Sequence, residues 1–219
     1  VIVLRGNHED EGINSKYGFH KELRTNFPTP AVYEEAVGYS VEIYDHLPLA
    51  ARTPNSLIIH GGIPQNATIR DIGSIPRPHS DFRALKKPRA QKLQRIFKEI
   101  QWNDPDETLS SGFGPSARGG SAKHFSCIEA EAFLRHSAER RRLFRGHQSS
   151  RGGFQSLWDG LVIHIITSDP ELPQSKPNIM AIGTVAIENE DGSVEVRSLE
   201  GTQIASLSPR RWTRSSVCG

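Results

Sequence analysis

Asn7-His8-Glu9 sets an amide oxygen, an imidazole and a carboxylate side by side, directly behind the apolar run Val1 to Leu4, Arg5 and Gly6. Three other places repeat the design. His60 ends Ser56-Leu57-Ile58-Ile59 and is followed by Gly61-Gly62; Arg145-Gly146-His147 follows Leu143-Phe144; Thr167-Ser168-Asp169-Pro170 follows Leu161 to Ile166. Rigid strands hold side chains in fixed directions, and glycine lets backbone and phosphate come close. Imidazole nitrogens with an amide oxygen suit a borderline divalent metal such as Zn, Fe or Mn. Two such ions about 3.5–4 Å apart can activate a water and clamp phosphate oxygens for in-line attack. Taken singly, each place is ordinary, since a histidine on an apolar strand is more often a packed core residue.

The elements that position these groups follow from apolar spacing. Strands are predicted at Val1–Arg5, Val41–Leu49, Ser56–His60, Leu143–Arg145 and Gly160–Thr167. Helices are predicted over Ser15–Phe27, Tyr33–Tyr39 and Gln91–Ile100, the last with Leu93, Ile96, Phe97 and Ile100 on one face. Ser126 and Glu129 form a capping-box pattern that opens a helix running to about His136. Pro64 to Pro88 reads as loop with a short helix near Ile69, and Asn103 to Gly120 as one long loop. Asp191-Gly192 marks a hairpin between Thr184–Ile187 and Ser193–Ser198. The Ser/Arg-rich segment after Leu207 reads as a disordered basic tail over 208–219, beyond a single domain over 1–207.

Composition narrows the function. Lys and Arg number 27 against 25 Asp and Glu, so bulk charge gives no case for a nucleic-acid partner. No apolar run reaches the length of a membrane span. The 219 residues suffice for one domain with a sizeable core. Two cysteines, Cys127 and Cys218, make no disulfide framework and fit a reducing compartment, most simply the cytosol, with the nucleus a second location.

The order of motifs resembles the serine/threonine phosphoprotein phosphatases of the calcineurin-like metallophosphoesterase family. Gly6-Asn7-His8-Glu9, then His60-Gly61-Gly62, then Trp102-Asn103-Asp104-Pro105, then Arg118-Gly119 before Phe125-Ser126, then Arg145-Gly146-His147 occur in the family's sequence. The resemblance covers roughly Val1 to Leu199. It implies an α/β sandwich of mixed sheets flanked by helices. It also implies Asn7, His60 and His147 as metal ligands, His8 as the acid that protonates the leaving oxygen, and Arg118 as the phosphate clamp. A planar guanidinium can take two phosphate oxygens at once, which suits that role. The implied cofactors are two divalent metal ions (Mn, Fe or Zn). The implied reaction is direct hydrolysis of phosphoserine and phosphothreonine esters by an activated water. A phosphoprotein is the implied substrate, with regulatory or targeting subunits as further partners.

Departures from the family pattern keep rivals open. Leu172 stands where the family places a tyrosine after the last long strand, and Ile63-Pro64 where Leu-Ser-Pro is common. A dinucleoside polyphosphate or nucleotide is therefore an alternative substrate. The family's two earlier motifs, Gly-Asp-x-His-Gly and Gly-Asp-x-x-Asp-Arg-Gly, do not occur in these residues. The expectation is thus of the C-terminal part of a catalytic domain with its N-terminal portion missing, nearly inactive alone. A non-catalytic phosphate-binding or scaffolding role is the remaining rival. Outside the resemblance, Arg145 can contact phosphate or stand as an exposed strand-end arginine. Asp104 can orient a site group or only form a turn before Pro105. His164, opposite in strand alternation to Ile163 and Ile165, points to a supporting or surface role rather than ligation.

Overall fold

A computed structural model describes residues 1–137, 141–166, 183–211 and Cys218. Chain order runs α1 (Glu11–Lys16), α2 (Phe19–Asn26), α3 (Pro30–His46), β1 (Ala50–Arg52), β2 (Ser56–Ile59), α4 (Ile69–Gly73) and α5 (Lys87–Trp102). It continues with β3 (Asp104–Pro105), β4 (Phe113–Pro115), β5 (Lys123–Phe125), α6 (Cys127–His136), β6 (Arg142–Arg145), β7 (Phe154–Leu157) and β8 (Val162–Ile165). The antiparallel strands β9 (Thr184–Glu188), β10 (Val194–Ser198) and β11 (Gln203–Leu207) close it.

The central sheet has the order β1-β2-β6-β8-β7. Its three inner strands are parallel and its two edges antiparallel. Alternation splits each inner strand between two cores. Leu57, Leu143 and Val162 face α5 and α6 in the larger core, with Leu93, Ile96, Ile100, Phe125 and Leu134. Phe144, Ile163 and Ile165 face the other way, onto Val194, Val196, Ala186 and Leu207 of the β9–β11 sheet. The result is the expected sandwich of mixed sheets with helices on its flank. Parallel strands end at the same edge of the sheet, so the segments after β2 and β6 emerge side by side.

Several elements match the sequence expectations: β2, α4, α5, α6, β6, β8 and the hairpin of β9 and β10, whose turn places Gly192 at φ 85°. Three do not. Val1 to Arg5 forms no strand; Val1, Ile2 and Val3 are exposed, and the segment's backbone tie is Arg5 N–H to Pro48 O at 2.8 Å. A strand needs a ladder partner, and none lies beside this run among the described residues. The helix expected over Ser15–Phe27 is two helices, broken where Gly18 adopts φ 95°. The strand expected at Val41–Leu49 is the second half of α3, which stops at Leu47 because Pro48 disfavours helix in the residue before it. Side-chain bonds from Tyr39 Oη to Glu35 Oε1 and from Ser40 Oγ to Ala36 O lie in the helical turn that leads into that half. The loop expected over Asn103–Gly120 contains β3 and β4, which flank β5 in a small sheet.

The cysteines also depart from expectation. Cys127, at the start of α6, is disulfide-bonded to Cys218 across 91 residues of sequence. Sequence separation carries no information about this proximity, which depends on the end of the chain returning to α6. Within the C-terminal segment Arg210 is buried and donates to Asp159 O at 2.6 Å; residues 212–217 and 219 lie outside the described residues, as do Thr167 to Pro170 and Leu172. No described helix is long and apolar enough to cross a membrane.

Candidate active site

Gly61 explains how the edge of the sheet is closed on α5. Its N–H and that of Gly62 both donate to Ile100 O, at 2.8 and 3.2 Å, near the helix end. A Cβ on Gly61 would stand 2.6 Å from the Gln101 carbonyl carbon, inside any tolerable contact. This close approach brings Trp102 against His147, with ring centres 5.6 Å apart. Asn103 then staples the following turn, donating to Ile63 O and accepting from Lys123 N–H, each at 2.8 Å.

Asn7, His60 and His147 come from three separate segments and converge. Asn7 Oδ1 lies 2.7 Å from His60 Nε2 and 3.3 Å from His147 Nδ1. The two imidazole rings are 5.1 Å apart, edge to face. Gly6 permits this, because a Cβ there would come 2.7 Å from His60 Nδ1. Gly146 N–H bonds His60 O at 3.0 Å, tying the two histidine-bearing turns together. His147 itself adopts φ 78°, a conformation costly for a residue with a side chain. Its Nε2 is buried and lacks a hydrogen-bond partner among the described residues.

Burial, together with neighbouring cations, keeps both rings neutral. His60 is pushed down to about 4, by burial first and then by Arg145 and His8. His147 is pushed down to about 2, by burial first and then by Arg118, His60 and Arg145. Neutral imidazole is the form that coordinates a metal. Two neutral imidazoles, one of them with an unsatisfied buried nitrogen, and one amide oxygen therefore fit a divalent cation. Among the described residues no three His, Cys, Asp or Glu side chains gather as a metal-binding group; the convergence here is two imidazoles and an amide.

Asp104 organises the cationic side of the site. Its Oδ2 accepts from Arg118 Nε and its Oδ1 from Arg145 Nη2, each at 2.6 Å. Of the two readings open for Asp104, the orienting one is correct. Arg145 is not an exposed strand end but is fully buried, held also by Gly61 O and by Gln148 Oε1, at 2.5 Å each. Its Nη1 also lies 3.0 Å from His164 Nδ1, and His164 Nε2 bonds Gln148 O. His164 is thus a buried support, on the face its strand alternation requires. Arg118 is partly exposed and lines a cleft of about 340 Å³ with Asn7, Gln101, Trp102 and the Gly119-Gly120 turn. His8 faces solvent, its ring edge-on to Tyr17 at 5.0 Å, near enough to His60 and His147 to disfavour their protonation. Glu9 turns back to accept from Gly6 N–H at 2.6 Å, fixing the loop that carries Asn7.

Comparison with known proteins identifies the family. The family described as calcineurin-like phosphoesterase matches residues 1–150. The chain is 28% identical to serine/threonine-protein phosphatase T of Saccharomyces cerevisiae over 224 residues, covering 97% of this chain and 40% of that protein. It is 30% identical to serine/threonine-protein phosphatase rdgC of Drosophila melanogaster over 181 residues, covering 77% of this chain and 26% of that one. A solved protein serine/threonine phosphatase from Saccharomyces cerevisiae, described as similar to human phosphatase PP5, superposes with a TM-score of 0.62 at 25% identity. That match covers 98% of this chain and 62% of the solved one. The chain therefore spans well under half the length of these curated relatives. With residues 1–150, two thirds of the chain, matched by that model, the chain belongs to the calcineurin-like phosphoesterase family.

Proposed function

We propose that these residues form part of a metal-dependent phosphatase acting on phosphoserine and phosphothreonine in proteins. The observation that carries this reading is the meeting of His60 Nε2 and His147 Nδ1 at Asn7 Oδ1, beside an arginine held by Asp104. Asn7, His60 and His147 would hold a divalent ion, Mn, Fe or Zn by donor type. When bound, a metal pair lends Lewis acidity to water and to phosphate oxygens. The three residues provide for one ion; a second needs carboxylate or imidazole ligands beyond them. Turnover is therefore expected of a protein that carries those ligands, and little of this chain alone.

Arg118 binds the phosphate. Its Nε is committed to Asp104, which orients the remaining guanidinium edge toward two phosphate oxygens. Arg145 stays inside, fixing Asp104 and lending positive charge without reaching the surface. His8, exposed in the turn before α1, gives a ring N–H proton to the leaving seryl or threonyl oxygen. The names of the relatives favour a phosphoprotein substrate, and regulatory or targeting subunits would fit that role.

The test is phosphate release by the full-length protein with Mn²⁺, from phosphoserine and phosphothreonine peptides and from a dinucleoside polyphosphate. The reading requires release from the peptides, lost in Arg118→Ala. Release from the dinucleotide alone would transfer the site to small-molecule chemistry.

A further inference from the structure

Away from the histidine site, β1, β2 and α4 enclose a cavity of about 380 Å³. Its floor is apolar, built from the buried side chains of Leu57, Ile72 and Ile75. Its rim carries Arg52, Arg70 and Arg77, all exposed. Among the described residues no acidic side chain lines it. None of the three arginines makes an ion pair among the described residues, the acid next to Arg70, Asp71, being taken by Lys92. In a chain whose net charge is only +2, three unneutralised guanidinium groups around one apolar hollow are a local excess, not a reflection of bulk charge. β1 adds a directional feature. It stands at the end of the central sheet and pairs with β2 alone, so its outer edge meets no strand among the described residues.

We propose that this cavity docks an acidic, extended peptide segment of a partner protein. One apolar side chain would sit on Leu57, Ile72 and Ile75, and flanking carboxylates would face Arg52, Arg70 and Arg77. The volume fits one or two large side chains and not a folded element. A free anion would leave the apolar floor uncovered, and an uncharged apolar ligand would leave the arginines without a partner. A peptide backbone running along β1 can bond its open edge, the usual way an extended ligand gains affinity while alternate side chains enter a pocket. Arginine is suited to carboxylate recognition because its planar fork offers paired donors.

The test uses the whole chain and a fluorescein-labelled peptide with Glu and Asp flanking a central Leu-Phe pair. Binding is read by anisotropy and located by ¹⁵N amide shifts. Expected are saturable binding that weakens with salt and shifts concentrated at Arg52, Leu57, Arg70 and Ile72. Replacing Leu-Phe by Ser-Ser, or the acids by Gln and Asn, should weaken binding. Arg70→Ala and Arg77→Ala should each cost about threefold to fivefold, and the triple Arg52→Glu, Arg70→Glu, Arg77→Glu should abolish it. These arginines are exposed, so the variants should keep the parent melting curve. Arg118→Ala should leave peptide binding unchanged, which separates docking from phosphate recognition. No binding, shifts outside the cavity, or equal binding of the neutral peptide would each overturn the proposal.

Discussion

The buried Arg145 guanidinium donates to Asp104 Oδ1 at 2.6 Å, while the other oxygen of the same carboxylate takes Arg118 Nε at 2.6 Å. One carboxylate thus fixes a cation that never meets solvent and a second that opens on the cleft. The inner pair is part of the fold and the outer pair is part of the site. Removing Asp104 should affect both.

Asp104→Asn should lower unfolding free energy by about 3–5 kcal/mol, because it leaves Arg145 charged in the interior without its counter-ion. In the full-length protein it should also raise KM for a phosphopeptide by freeing Arg118. Urea unfolding and steady-state kinetics read the two effects separately. An unchanged urea midpoint would mean that Gly61 O and Gln148 suffice to hold Arg145.

Gly61→Ala tests the close approach of β2 to α5. The new methyl would meet backbone atoms of Gln101 and Ile100 at 2.6–2.8 Å, and backbone cannot swing aside as a flexible side chain can. A loss of about 1–3 kcal/mol is expected, with amide shifts at His60, Trp102 and His147. A melting temperature equal to the parent's would show that the contact is looser than the geometry implies.

His164 gives a pH dependence. Its Nδ1 faces an Arg145 donor and its Nε2 bonds Gln148 O, so the folded state holds one neutral tautomer. Burial first, then Arg145, pushes it down to about 4. The unfolded chain takes up this proton near the ordinary value of about 6.5. The contribution is complete above about pH 6.5 and declines as pH falls toward about 4, by at most about 3 kcal/mol. His79, buried and also lowered, acts in the same direction. Urea midpoints from pH 7 to 4.5 should fall less steeply in His164→Gln than in the parent; parallel curves would remove His164 from the account.

The Cys127–Cys218 bond should be visible in stability. Closing a loop of 91 residues restricts the unfolded chain, and its loss should cost about 2–4 kcal/mol. Reductant should lower the parent's urea midpoint and leave Cys218→Ser unaffected. A parent indifferent to reductant would indicate that the cysteines are free thiols in solution.

Asn7, His60 and His147 stood out in the sequence because each follows an apolar run and neighbours glycine, in the family's motif order; only the runs before His60 and His147 fold as strands. Their convergence was not, since it depends on the parallel pairing of β2 with β6 and on α5 lying against Gly61. Asp104 stayed ambiguous for a similar reason: Asp before Pro is ordinary turn chemistry, and only the folded chain brings Arg118 and Arg145 to it. Glu9 as a clamp on Gly6, and Gln148 as a partner of both Arg145 and His164, had no signal beyond adjacency to the motifs. Strands of two and three residues, β3 and β4, are too short for periodicity to reveal. Val41 and Ile43 read as strand by side-chain branching, but helix α3 continues through them, a case where the preceding turns outweigh local propensity.

The most direct measurement is Mn²⁺ binding to this chain by electron paramagnetic resonance titration. The account predicts one ion per chain, with affinity falling by on the order of tenfold or more in Asn7→Ala, His60→Ala and His147→Ala, and unchanged in Arg70→Ala. Binding that survives all three ligand substitutions, or no specific site at all, would contradict the assignment of these residues as a metal centre.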